Sequence, residues 1–317
     1  KFIKSIKICS NLQGITRDKN LNNQAVQINS VFGGDFEALN DQDFKNIKKV
    51  INKEIPLYKK REPLPHQSNA IKLIQEHFIS KKESRAQVIH ACGTGKTLTA
   101  YYTYQELKPT LAIYLVPSLQ LITQTLTEWA KESLANNNAI SPFIICSDKS
   151  NEKIEENEPA LWLQELGIKV SNKKDEIKEF LNSKQPRKVI FSTYQSSKIL
   201  ASNLSKLNII PDLAFFDEAH NTTSSKVKVF GHLLSNKNLK IKNRLFLTAT
   251  PKKLIGNNNK YYSMEDESIY GKVVDEITFK DAIEDLGMLN DYRIITQLVT
   301  DTEVKKLLNE NPFVIDQ

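Results

Sequence analysis

Two short strings in this chain have residue types and spacings suited to phosphate chemistry. The first is His90-Ala91-Cys92-Gly93-Thr94-Gly95-Lys96-Thr97, preceded by the β-prone Gln87-Val88-Ile89 and followed by a helical pattern from Leu98 to Leu107. A nucleoside triphosphate needs several main-chain N–H groups converging on its oxygens, which the Cys92 to Gly95 turn can supply at the head of a helix. Gly93 and Gly95 permit the tight turn and the close approach, with Thr94 between them. Lys96 brings positive charge to the β- and γ-phosphates, and the Thr97 hydroxyl is a ligand type for Mg²⁺. Cys92 is read as filling space in this loop rather than reacting. The second string, Leu213-Ala214-Phe215-Phe216-Asp217-Glu218-Ala219-His220, is an apolar strand that delivers two acids at its carboxyl end, where open α/β sheets place their ligands. There Asp217 would hold Mg²⁺, and Glu218 would orient and deprotonate a water. His220 has no second His or Cys at metal spacing. It reads as a polar packing residue that touches a neighbouring motif and senses nucleotide state.

The rest of the chain must position these two strings. Short apolar runs at Leu111 to Val116, Phe143 to Cys146, Lys188 to Ser192, Leu213 to Phe216 and Arg244 to Thr248 read as buried strands. They alternate with helical patterns, clearest at Leu119, Ile122, Leu126 and Trp129, and upstream at Ile71, Ile74 and Phe78. Alternation of this kind implies right-handed crossovers and a parallel sheet. The expected fold is therefore α/β, a central mostly parallel sheet flanked by helices, with a short N-terminal extension. Ser147 to Gln185 is charged and reads as an insertion of surface helices and loops. Residues 1–58 mix apolar clusters with a Gly33-Gly34 turn and a charged helix from Asp41 to Lys53, and carry no chemistry that we can assign.

Composition narrows the class. The 317 residues are 40% hydrophobic, enough for a sizeable core, and Lys+Arg exceed Asp+Glu by 44 to 37, a net charge of +7 that favours a polyanionic partner without proving one. Cys9, Cys92 and Cys146 form no C-x-x-C pair, so no disulfide framework or zinc site is indicated. A reducing cytoplasm is the expected location, with no membrane span and no signal peptide. The chain does not begin with Met, as an excised piece of a longer protein would.

With these residues in place, the chain resembles the superfamily 2 DEAD/DEAH-type helicases. Asp217-Glu218-Ala219-His220 is similar to their Walker B motif, and Leu245-Phe246-Leu247-Thr248-Ala249-Thr250-Pro251 to motif III, which in the family couples hydrolysis to nucleic-acid movement through Thr248, Ala249 and Thr250. Leu64-Pro65-His66-Gln67 resembles the adenine-reading Q motif, with Gln67 as its amide. Tyr114-Leu115-Val116-Pro117-Ser118-Leu119 resembles motif Ia and Val189 to Ser196 motif Ib; the resemblance makes Pro117, Ser118, Thr193 and Tyr194 contacts to a nucleic-acid backbone. His90 stands where the phosphate loop usually has its first Gly, a departure that many helicase-like ATPases share. The string His90 to Thr97, Ser192 to Ser196, Tyr270-Gly271, Ala282-Ile283-Glu284 and Asp291-Tyr292-Arg293 are similar to type I and III restriction-enzyme helicase subunits and to the single-polypeptide restriction-modification enzymes.

That resemblance implies the first RecA-like lobe of a P-loop ATPase over residues 59–300, with 301–317 starting a linker or second lobe. It also implies ATP and Mg²⁺ as ligands, duplex DNA held through its backbone, and a possible upstream nuclease domain. The second lobe would bring the arginine fingers, which contribute about 10³ to 10⁵ in rate, so the isolated piece is expected to be nearly inactive. Two other readings stay open: a RecA-like module that binds nucleotide or a partner without catalysis, and an ATPase that remodels RNA. The intact Lys96, Thr97, Asp217 and Glu218 weigh against the first.

Overall fold

The computed structural model describes residues 6–10, 28–32, 40–52, 58–146, 168–223, 229–252 and 262–291. Near the start, β1 (Ile6–Ser10) and β2 (Ile28–Phe32) form a parallel two-stranded ladder, and α1 (Asp41–Ile51) is the expected charged helix, two residues shorter than the sequence reading. Its Phe44 and Ile47 are exposed.

From Tyr58 onward the described elements build one sheet. They are α2 (Pro65–Gln75), β3 (Arg85–His90), α3 (Lys96–Leu107), β4 (Leu111–Val116), α4 (Leu119–Ala135), β5 (Ser141–Ile145) and β6 (Lys169–Val170). There follow α5 (Lys174–Asn182), β7 (Lys188–Thr193), α6 (Ser197–Lys206), β8 (Leu213–Asp217), β9 (Asn243–Thr248), a single turn α7 (Glu267–Tyr270) and β10 (Lys272–Ile277). The eight strands lie in the order β10-β3-β9-β8-β4-β7-β5-β6, and every pairing is parallel. The expected RecA-like α/β fold is the fold observed.

Both faces of the sheet are covered, which is why its inner strands read as unbroken apolar runs. Along β4, Ala112, Tyr114 and Val116 face a core shared with Ile71, Ile74, Tyr101 and Trp129 of α2 to α4. Leu111, Ile113 and Leu115 point the other way, onto Ile177 and Phe180 of α5 and Leu200 and Leu204 of α6. β10 closes one edge and was not anticipated: Lys272-Val273-Val274-Asp275-Glu276-Ile277 pairs on one side only and is half exposed. Gly271 marks its start at φ 75°, and a Cβ there would lie 2.0 Å from the Arg85 carbonyl oxygen.

The stretch 147–185 is less of an insertion than its charge suggests. Its described part adds β6 to the sheet beside β5 and buries Ile177 and Phe180. Gly33, Gly34, Tyr292, Arg293 and residues 301–317 fall outside the described residues. Among the described residues no helix is long and apolar enough to cross a membrane.

Candidate functional site

Five strands that are neighbours in space, β3, β9, β8, β4 and β7, each end in one of the segments singled out above. Their carboxyl ends therefore form one continuous rim: phosphate loop, motif III, the acid pair, motif Ia and motif Ib. The parallel sheet produces this arrangement, because each strand runs in the same direction and its following loop emerges on the same side.

The phosphate loop leaves β3 at His90 and enters α3 at Lys96. Gly93 and Gly95 take φ of 85° and 83°, the left-handed region that a side chain resists. Space as well as torsion demands glycine here: a Cβ on Gly95 would lie 2.5 Å from Gln67 Nε2, and one on Gly93 2.9 Å from Leu289 Cδ2. Lys96 is largely buried, and its ammonium donates to the carbonyls of His90 (3.1 Å) and Ala91 (3.4 Å). Thr94 is buried with its hydroxyl donating to Ala91, whereas Cys92 is exposed at the tip and Thr97 is half-buried. Glycines in a left-handed turn, a cation and a hydroxyl at one helix start form a donor set that fits phosphate.

His66 and Gln67 brace this loop from α2. His66 Nε2–H donates to the Thr94 carbonyl (2.9 Å), and the Gln67 amide donates to Gly95 (3.2 Å) while its Oε1 accepts from the Leu64 N–H (2.9 Å). Both ends of the Gln67 amide are thus engaged within the protein. His90, in the customary glycine position, is fully buried; its Nε2–H donates to the Asp275 carboxylate at 2.7 Å, and Asn69 donates to the other Asp275 oxygen. The loop is tied to β10 a second time through the Ala91 N–H and the Ile277 carbonyl. No local pattern in the sequence announces this link, since 185 residues separate His90 from Asp275.

The acid pair sits at the end of β8. Asp217 is buried, and that burial pushes its carboxyl up to about 6, opposed by hydrogen bonds from the Tyr114 hydroxyl and the Glu218 N–H and by the Lys96 charge. Glu218 follows at φ 49°, ψ 48°, a left-handed conformation that costs a non-glycine residue about 1–2 kcal/mol. Its carboxylate lies 3.3 Å from His220 Nδ1. The Asn221 amide donates to His220 Nε2, which places the proton of the neutral ring on Nδ1, facing Thr248 Oγ1 at 2.9 Å. Burial holds the His220 pKa down, with Lys252 and Lys96 acting in the same direction. Thr248 is buried and accepts from the Thr250 N–H (3.2 Å); Ala249 is half-buried and Thr250 exposed. The acid string and the Thr248 segment are in contact through His220.

At the neighbouring strand ends, Ser118 is exposed and caps α4 by accepting from the Leu121 N–H, and Pro117 beside it is half-buried. Thr193 is buried with its hydroxyl against Ser196 Oγ. Tyr194 is fully buried: its hydroxyl donates to the Asp217 carbonyl at 2.6 Å, and its ring stacks between Phe216 and Phe230. Its side chain therefore ties motif Ib to the acid pair and offers nothing to a ligand at the surface. Gln195 and Lys198 are the exposed side chains here.

Comparison with known proteins finds a helicase and restriction-enzyme family for the chain. Residues 60–253 match the family model described as type III restriction enzyme, res subunit. The protein named probable helicase A859L of African swine fever virus is 27% identical over 215 residues, spanning 68% of this chain and 22% of the viral protein, in the Pretoriuskop and Badajoz isolates alike. Among solved structures, the type ISP restriction-modification enzyme LlaBIII bound to DNA matches with TM-score 0.64 and 26% identity, over 90% of this chain and 20% of that one. A nuclease-deletion mutant of LlaGI, also type ISP, in complex with a DNA substrate mimic, matches with TM-score 0.54 and 30% identity over 71% and 20%. The chain spans about a fifth of the length of these relatives.

Proposed function

The chain belongs to the type III restriction enzyme res-subunit family of superfamily 2 helicases, and from that premise we propose that it is the ATP-binding lobe of a DNA-dependent ATPase and translocase. The observation that carries the reading is the convergence of Lys96, Asp217, Glu218 and the His220–Thr248 pair on one rim: the Lys96 charge is felt by both Asp217 and His220. In this reading the Cys92 to Gly95 loop cradles the phosphates, and Lys96 exchanges its carbonyl partners for phosphate oxygens. Glu218 holds the attacking water and takes its proton, its strained backbone fixing where the carboxylate points. Thr97 and Asp217 would hold Mg²⁺, which when bound supplies positive charge to the phosphate oxygens. His220 senses the state of Glu218 and passes it to Thr248 and so to motif III.

DNA as the polymer is supported by the DNA-bound state of both type ISP structures and by the +7 net charge. Translocation is proposed and strand separation is left open, because the motifs on this rim do not by themselves imply it. A second RecA-like lobe and a restriction-modification setting complete the proposal. In the full-length protein, Lys96→Ala should lower DNA-stimulated ATP hydrolysis by at least about 10²-fold. Turnover above a few per cent of wild type would refute the assigned site, and equal stimulation by RNA would overturn the choice of DNA.

A further inference from the structure

Both residues assigned to Mg²⁺, Asp217 by its side chain and Thr97 by its main chain, are fastened to the same buried aromatic cluster. The Tyr114 hydroxyl on β4 donates to Asp217 Oδ2 at 2.9 Å. The Trp129 indole N–H on α4 donates to the main-chain carbonyl of Thr97 at 3.1 Å. The two rings meet at 5.2 Å between centroids, edge to face, and Phe191 and Phe215 pack against both at 5.5–5.8 Å. Tyr114 and Trp129 are fully buried.

The hydroxyl of Tyr114 needs a reason. Its neighbours on the same face of β4, Ala112 and Val116, are apolar, and a buried phenol costs free energy unless its hydroxyl is bonded. Phenylalanine would fill the position without that demand. Tyrosine does what phenylalanine cannot: it holds a second oxygen of a carboxylate whose terminal torsion is otherwise soft. The other oxygen, Oδ1, accepts from the N–H of the next residue, Glu218.

Building on the ATP and Mg²⁺ reading above, we propose that Tyr114 and Trp129 are positioning residues that set the spacing between Thr97 and Asp217 for metal binding. Tyr114 fixes the carboxylate, Trp129 fixes the first turn of α3 that carries Thr97, and the contact between the rings makes the two fixings one rigid part. Neither residue touches nucleotide.

The test is metal binding rather than turnover. In the full-length protein with saturating ADP, Mn²⁺ uptake is followed by the loss of its free-ion electron paramagnetic resonance signal, and metal-free ADP binding is measured separately by calorimetry. Tyr114→Phe, which keeps the ring and deletes only the hydroxyl, is expected to weaken Mn²⁺ binding about five- to tenfold while metal-free ADP binding stays at the wild-type level. Trp129→Phe, which deletes the indole N–H, is expected to weaken Mn²⁺ binding in the same direction. In an Asp217→Asn background the Tyr114→Phe change is expected to have no further effect, because the bond it removes acts only through Asp217. Wild-type Mn²⁺ affinity in Tyr114→Phe, or an equal loss with and without Asp217, overturns the proposal. Failure of the wild-type protein to bind ADP at all, by contrast, would sink the nucleotide reading on which it rests. Should either variant unfold, the other still decides the matter.

Discussion

The two ends of the same strands bury charge in opposite ways. At the carboxyl ends of β3 and β8, Lys96 lies against carbonyls of its own loop, Asp217 carries a raised pKa, and Glu218 sits in a left-handed conformation. At the amino ends of β3 and β9, Arg85 and Arg244 stand in register. The Arg244 guanidinium is fully buried and donates to the carbonyls of Leu233, Leu239 and Ile241; Arg85 donates to Leu234 and Ile269. Burial, with the Arg85 charge beside it, lowers the Arg244 pKa to about 9. These arginines gather the carbonyls of 233–241 and 269 beneath the sheet. Both ends bear a cost of burying charge; at the amino end three hydrogen bonds from Arg244 to carbonyls offset it, whereas at the carboxyl end Asp217 and Glu218 are left in arrangements that cost stability.

Three substitutions test this contrast. The largest effect should come from Arg244→Met, which leaves three buried carbonyls without their donor. At about 1.5–3 kcal/mol for each charge-assisted bond, a loss on the order of 5 kcal/mol is expected. A fall in the denaturant midpoint with an unchanged slope would show it, and a shift worth less than about 1 kcal/mol would break the comparison at its structural end.

Next is Asp217→Asn in metal-free protein. The folded carboxyl binds its proton more tightly than the unfolded one, about 6 against 3.8, so the stability that Asp217 contributes is fully present below about pH 4. It is lost as pH rises through 6, a cost of up to about 3 kcal/mol at pH 7.5. The asparagine protein should therefore be the more stable at pH 7.5, with the gap closing on acidification. Melting curves at pH 4 and 7.5 decide it; a gap that widens toward acid would reverse the sign of the argument.

The smallest effect is expected from Glu218→Gly. Relief of the left-handed backbone should raise stability by about 1 kcal/mol, while ATP hydrolysis falls by about 10²–10⁴-fold. A destabilised but active glycine variant would remove Glu218 from both roles.

Legibility in the sequence followed the same division. The inner strands β4, β7, β8 and β9 announce themselves because both faces are buried and the run is apolar throughout. The Gly93–Gly95 turn and the Asp217-Glu218 pair stood out as candidates because the chemistry proposed for them needs residues that are contiguous. β10 was not, since an edge strand half in water carries Lys, Asp and Glu like any loop. Nor were the long-range partners. His90 read as a tolerated departure from glycine, yet its ring is bound to Asp275. Tyr194 read as a surface contact and is a buried strut. Arg244, inside an apolar run, gave no sign that it was buried, because its carbonyl partners come from backbone that any residues could supply. Side-chain bonds that join separate elements leave no periodicity to detect.

The seam between β10 and the phosphate loop has a mechanical consequence. The Ala91 N–H donates to the Ile277 carbonyl, His90 is bonded to Asp275, and Leu289 packs over Gly93. The segment that follows β10 is therefore held against the phosphate loop as well as against the sheet. Under the proposed function this seam is a hinge-pin: a loop that shifts on binding phosphate would carry β10 and the turn after it along.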